Sequence, residues 1–224
     1  MDKEIKILLD NSKLDQLYNY NLFSLKSICE FLGEWNNYST EDKLRLENFT
    51  ARDTKINKNF TYKGNYNLDF TYGEISRSGV DEIIDKINKY RKPTEKDVFV
   101  DAGCGCGKLI LHTAIKSDIK TLIGVEIIPQ RFRYAKHIKE EILPEKNIFL
   151  FEKDIRKFDL SIATIVFTND VTFNIDLVNE IFNKLPKGCN FITSHVRPDC
   201  KIFKDEFFVN TSWGNKLKLY YYIK

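Results

Sequence analysis

VFVDAGCGCGKLIL, residues 98–111, decides the fold: an apolar run, an acid, and a turn with glycine at positions 103, 105 and 107, leading into a second apolar run. The first run reads as a buried strand and the second as the start of a helix. Three glycines between them give a backbone free to adopt positive φ and bare enough for a ligand to lie against it. Outward from this turn the same alternation recurs. Strand-like runs fall at 97–101, 121–126, 147–151, 164–167 and 190–194, with helical stretches beginning near Gly107, Pro129 and Ile175. This spacing predicts βαβ units and a mostly parallel, Rossmann-like α/β sheet. Two further β-rich runs, 202–209 and 216–223, predict a terminal antiparallel hairpin turning across 212–215.

Upstream, Val80, Ile83, Ile84, Ile87 and Tyr90 make one helical stripe over 76–90, with Pro93 beyond it as a stop. Helix-period apolar residues over 3–32 and a short helix over 40–50, capped by Thr40, predict a small helical N-terminal region. From 57 to 72 the pattern dissolves into a loop. The division expected is a helical region with its connecting loop at 1–69 and an α/β catalytic domain at 70–224.

Composition narrows the classes. Lys+Arg number 35 against 32 Asp+Glu, a net charge of +3, which does not announce a nucleic-acid binder. The five cysteines, at 29, 104, 106, 189 and 200, are odd in number and form no C-x-x-C, so neither a disulfide framework nor a metal site is readable. No signal peptide or membrane-length apolar run is present. A soluble intracellular monomer, nuclear or cytoplasmic, is expected.

The spacing of the glycine turn then selects among ligands. A dinucleotide site needs G-x-G-x-x-G, but the third glycine arrives one residue early, at Gly107, with Lys108 in its place. A P-loop needs four residues between its glycines and Ser or Thr after the lysine; here there are three, followed by Leu109. The remaining pattern, D-x-G-x-G-x-G from Asp101 through Gly103 and Gly105 to Gly107, resembles motif I of the class I S-adenosylmethionine methyltransferases. In such a site an acid is needed at the end of the next strand to accept the ribose hydroxyls, and Glu126 stands there in LIGVEII. Asp154, after the third strand, is placed to meet the adenine end.

The flanks narrow the resemblance. FTYGEIS (70–76), DAGCGCGKLILHTA (101–114), GVEI (124–127), VFTNDVTF (166–173) and TSWGNKLKLYYYI (211–223) are similar to the signatures of the Dot1 family of non-SET protein-lysine methyltransferases. The resemblance covers about 70–224. It implies a seven-stranded sheet, S-adenosylmethionine as methyl donor, and a protein-lysine substrate, with a histone in a nucleosome as one candidate and nucleic acid met only weakly or through that nucleosome. It further implies that Tyr72, Glu74, Lys108 and Asn169 join Asp101, the three glycines, Glu126 and Asp154 around the cofactor. Asn169, Tyr72, Phe173, Trp213 and Tyr220 are implied as the lysine channel, where each aromatic ring can hold an ammonium at about 0.5–2 kcal/mol. The sequence departs from the family at Lys108, where the family has glutamine, at Asp170, where it has a second asparagine, and at TSHVRPD (193–199), and it ends at Lys224 without a long basic tail. These departures bear on the lysine channel and on histone selectivity more than on methyl transfer.

Two other readings remain open on the residues. Asp170 beside Asn169 also suits a class I enzyme acting on a non-histone protein, RNA or small molecule. A catalytically silent scaffold of the same fold is the third. His195 is read as a structural histidine, since methyl transfer to an amine needs no dedicated base.

Overall fold

The computed structural model describes residues 3–22, 24–47, 61–62, 66–67, 72–197, 200–214 and 216–224. The end of the expected 40–50 helix, most of the 57–72 loop, Phe70, Thr71, Pro198, Asp199 and Asn215 lie outside them. The N-terminal region forms α1 (Lys3–Asn19), α2 (Leu25–Phe31) and α3 (Thr40–Glu47), then two short antiparallel strands, β1 (Thr61–Tyr62) and β2 (Tyr66–Asn67). The cap of α3 is not Thr40, as expected, but its neighbour. Ser39 Oγ accepts the Asp42 N–H at 3.1 Å, so Thr40 is already inside the helix.

The alternation follows as read: α4 (Arg77–Tyr90), β3 (Val98–Ala102), α5 (Lys108–Lys116), β4 (Thr121–Glu126), α6 (Pro129–Ile142), β5 (Ile148–Glu152), β6 (Ile165–Phe167), α7 (Ile175–Lys184), β7 (Asn190–Thr193), β8 (Ile202–Val209) and β9 (Leu217–Ile223). The larger sheet has seven strands in the order β5-β4-β3-β6-β7-β9-β8. The first five are parallel, and β9 runs antiparallel to both its neighbours. Strand order reverses between β3 and β6, which opens a crevice at the carboxyl ends of the strands.

Period-two alternation along β3 divides the core. Phe99 packs with Ile83, Ile110, Ile165 and Tyr221 on one face, and Val100 with Ile181, Phe182, Phe191 and Tyr222 on the other. The N-terminal helices are continuous with the first of these clusters. Leu14, Leu17 and Ile28 are fully buried within it, and Lys13 reaches Glu145 beyond α6 at 2.9 Å. Truncating a buried leucine removes its transfer energy and leaves a cavity. Leu17→Ala is therefore expected to destabilise the protein by about 2–5 kcal/mol in urea unfolding, with a single transition for helix and sheet signals.

Candidate active site

Six segments meet at the crevice: 72–76, the glycine turn after β3, the end of β4, the 153–156 stretch after β5, the end of β6, and the β8–β9 turn. They enclose a cavity of about 390 Å³, within the range of small-molecule and cofactor sites. The glycine turn is held through its own N–H groups. Gly103 and Cys104 both donate to the Val125 carbonyl, Gly105 to Glu126 Oε2 at 2.8 Å, and Cys106 to the Tyr72 hydroxyl at 3.1 Å. Gly105 has φ +55°, and a Cβ there would lie 2.5 Å from the Tyr72 ring. Backbone conformation and close cover thus both require glycine.

The 72–76 segment is fastened from below and beside. The Tyr72 hydroxyl donates to Glu74 Oε1 at 2.5 Å, and Lys108 Nζ donates to Glu74 Oε2 at 2.7 Å and to Asn21 Oδ1 at 3.0 Å. Burial pushes the Tyr72 phenol well above its ordinary pKa, so it stays a donor. Beside it, Ser212 N–H donates to the Glu74 carbonyl and Ser76 N–H to that of Asn210, while Ser212 Oγ accepts the Glu74 N–H. This ladder sets the Trp213 ring on Gly73, where a side chain would collide with it. Asn169, at the end of β6, donates its amide to the Gly73 carbonyl at 3.3 Å, and its Oδ1 is buried without a partner. Among buried polar groups such an orphan is uncommon and marks a place for a donor.

The acids differ in their surroundings. Glu126 accepts N–H groups of Gly105 and Ile128, both at 2.8 Å. Asp101 is buried beside it; burial and the neighbouring Glu126 charge push its pKa up to about 8. Burial also acts to raise Asp154, but its hydrogen bonds to the Arg156 backbone and guanidinium outweigh that, and its pKa is lowered.

Tyr72, Glu74, Asp101, Gly103, Gly105, Lys108, Glu126, Asp154, Asn169, Phe173 and Trp213 all line the cavity. Gly107 and Tyr220 do not. Gly107 begins α5 at φ +82° and faces Ala135 of α6. Tyr220 stacks beside Tyr222, on the opposite side of β9 from Leu219 and Tyr221. Asp170 is also turned away: fully buried, it accepts from the Thr193 hydroxyl, from Ser194 N–H at 2.7 Å and from Ser194 Oγ at 2.6 Å, and it raises the pKa of His195. Sequence reasoning missed Arg131, whose guanidinium lies 4.5 Å from the Tyr72 ring centre and lines the cavity. Its only signal was its place in the first turn of α6, which many helices share. Among the described residues no cluster of His, Cys, Asp or Glu is arranged to hold a metal, and no helix is long and apolar enough to cross a membrane.

The family model described as histone methylation protein DOT1 matches residues 52–210. The chain belongs to the DOT1 family. A protein-lysine N-methyltransferase of Saccharolobus islandicus is 25% identical over 61% of this chain and 78% of its own length. The H3 lysine-79 specific histone-lysine N-methyltransferase of Caenorhabditis elegans is 28% identical over 55% of this chain, which is 14% of the worm protein. In fold, the chain is similar to magnesium protoporphyrin IX methyltransferase from Synechocystis PCC 6803, solved with bound S-adenosylmethionine, at a TM-score of 0.53 and 15% identity over 66% of this chain and 79% of that one. As a DOT1-family member the chain is an S-adenosylmethionine-dependent methyltransferase. Its residues fit that cofactor: the cavity is lined by bare backbone at Gly103 and Gly105, and by Asn169, whose Oδ1 is buried without a partner.

Asp101 gives a pH test of the ligand-free site. Its unfolded-state pKa is near 3.9 and its folded one about 8. Between these values the unfolded chain has released the proton and the native state retains it, so native stability falls as pH rises through the window. Asp101→Asn, which cannot ionise, is expected to match wild type near pH 4 and to exceed it increasingly up to pH 8, by on the order of a few kcal/mol, in denaturant melts. Parallel pH profiles for the two proteins would refute the assignment.

Proposed function

We propose that this protein is a protein-lysine N-methyltransferase whose cofactor and lysine meet in the cavity beneath Trp213. The carrying observation is the unpartnered Asn169 Oδ1, a fixed acceptor placed between the 72–76 segment and the β6 end, where an amine N–H would supply the missing bond. Asp101, Glu126, Asp154 and the loop at Gly103 and Gly105 would hold the nucleoside part of the cofactor, and Glu74 with Lys108 its amino-acid end. When bound, S-adenosylmethionine supplies an electrophilic methyl group on a sulfonium.

The chain's own part is alignment and desolvation. Phe173 and Trp213 surround the incoming amine with apolar and π surface, which disfavours its charged form and lowers its pKa without a dedicated base. Holding the amine in line with the methyl can supply several kcal/mol of barrier lowering, up to about 7–11 in the best intramolecular cases. Tyr72 serves as a strap over the glycine turn. Residues 70–224 would carry this chemistry, with 1–69 as a helical N-terminal region whose α1 and α2 pack against α5 and α6. A histone within a nucleosome is the substrate favoured by the DOT1 membership and by the H3 lysine-79 relatives. The arrangement of Asp170 gives no support to amide or base-amine methylation, since its carboxylate is occupied by the 193–194 turn.

The test is transfer of labelled methyl to nucleosomes, free histones, a nuclease-treated lysate and total RNA. Label on histone lysine in nucleosomes is expected, lost by about 10²-fold or more in Asn169→Ala, which removes a group near the transferring methyl. Label confined to RNA would overturn the lysine reading, and label confined to non-histone proteins would overturn only the histone.

A further inference from the structure

Among the described residues, the helical N-terminal region touches the cavity lining at Lys108. Asn21, just beyond α1, accepts from Lys108 Nζ at 3.0 Å, and the same ammonium is 2.7 Å from Glu74 Oε2. Lys108 is 4% exposed yet lines the cavity. It is also the first residue of α5, a nine-residue helix whose N-terminus carries partial positive charge. A buried cation needs a built surrounding, and here part of that surrounding comes from a segment outside the α/β sheet.

The end of α1 is pinned so that Asn21 can reach. The Tyr18 hydroxyl lies 2.9 Å from His112 Nδ1, and His112 Nε2 lies 3.1 Å from Asp81 Oδ1, linking α1 through α5 to α4. Burial pushes the His112 pKa down to about 4, so near neutral pH the ring is uncharged and bridges the two partners as donor on one side and acceptor on the other. Tyr18 also lies under the Lys108 ammonium, 5.8 Å from ring centre to Nζ. One end of the N-terminal region is thus fixed on both sides of Lys108.

We propose that Lys108 reads the carboxylate of the cofactor's amino-acid end while Glu74 reads its ammonium, and that Asn21 is the positioning residue through which the N-terminal helices set this specificity. This deepens the cofactor assignment and is independent of which substrate accepts the methyl. The two charges stand side by side with opposite sign, as an α-amino acid presents its own. Glutamine at position 108 could hydrogen-bond a carboxylate but would not bring a cation to it, and charge-assisted hydrogen bonds are about twice as strong as neutral ones. Asn21 fixes one of the ammonium's directions and so limits its swing within the wall.

The experiment is calorimetric binding of S-adenosylmethionine and of decarboxylated S-adenosylmethionine, without methyl acceptor, to wild type, Lys108→Gln, Asn21→Leu and Asn21→Gln, each shown by thermal melting to be folded. Wild type should prefer the carboxylated ligand by about tenfold or more. Lys108→Gln should collapse that preference by weakening S-adenosylmethionine alone. Asn21→Leu should reduce it by about threefold, and Asn21→Gln, which keeps an uncharged amide acceptor for Lys108, should recover it in part. Equal loss of both ligands in Lys108→Gln would make the lysine a structural counter-charge and overturn the proposal. An Asn21→Leu preference identical to wild type would remove the N-terminal region from the site. Failure of wild type to bind either ligand would instead count against the cofactor assignment itself.

Discussion

The carboxylate of Glu126 accepts one N–H from each side of the crevice, Gly105 after β3 and Ile128 after β4, and the site is organised around that clamp. A glycine turn has more conformational freedom than any other backbone, so something must choose one shape for it. A single buried charge does so by satisfying two backbone donors at once, and those donors offset the cost of burying it. Asp101 lies close by and is pushed toward its protonated form by the same burial and by Glu126's charge. Two carboxylates in one wall thus behave differently because their surroundings differ: one is fixed by backbone N–H groups, the other is left responsive to what enters the cavity.

Outward from the clamp, distant parts of the chain close on the same loop. Tyr72 holds Cys106 through its hydroxyl, Glu74 holds Lys108, and Asn21 holds Lys108 from the opposite side. The C-terminal hairpin contributes by backbone pairing, with Thr211 bridged to Ile75 and Ser212 bonded to Glu74. This explains why the terminal hairpin bears on the site at all. A shift of its register would move Trp213 off Gly73 and release the segment that carries Tyr72 and Glu74.

Sheet and helices were legible because they rest on local pattern. The runs at 121–126 and 202–209 coincide with β4 and β8, and the glycine spacing by itself excludes two other nucleotide sites. Less legible were facts set by register and by partner choice. Tyr220 and Tyr221 are neighbours in sequence, yet period-two alternation sends them to opposite faces of β9, and spacing alone does not say which face meets the cavity. Asp170 beside Asn169 looked equally available, but the 193–194 turn captures it, a contact 23 residues away in sequence. Asn21 gave no signal, because a polar residue after a helix is ordinary and its partner lies 87 positions on.

The mouth of the cavity separates two kinds of selectivity. Val171 and Trp213 stand there, 46% and 48% exposed, with Thr172 and Asn174 between the strand end and α7. None of these four carries a charge, whereas the rest of the lining carries Glu74, Asp101, Lys108, Glu126, Arg131, Lys153, Asp154 and Arg156. Charge therefore lies on walls that would read a cofactor's fixed groups, and around Val171 and Trp213 the mouth offers apolar and aromatic surface beside the buried amide oxygen of Asn169. Such a mouth distinguishes an amine that can shed its proton from one that cannot, since desolvation acts on the charged form. It does not distinguish one basic sequence from another. On the lysine-methyltransferase reading, the chemistry of the acceptor is chosen within the cavity and the identity of the protein that bears it by the surface around the mouth.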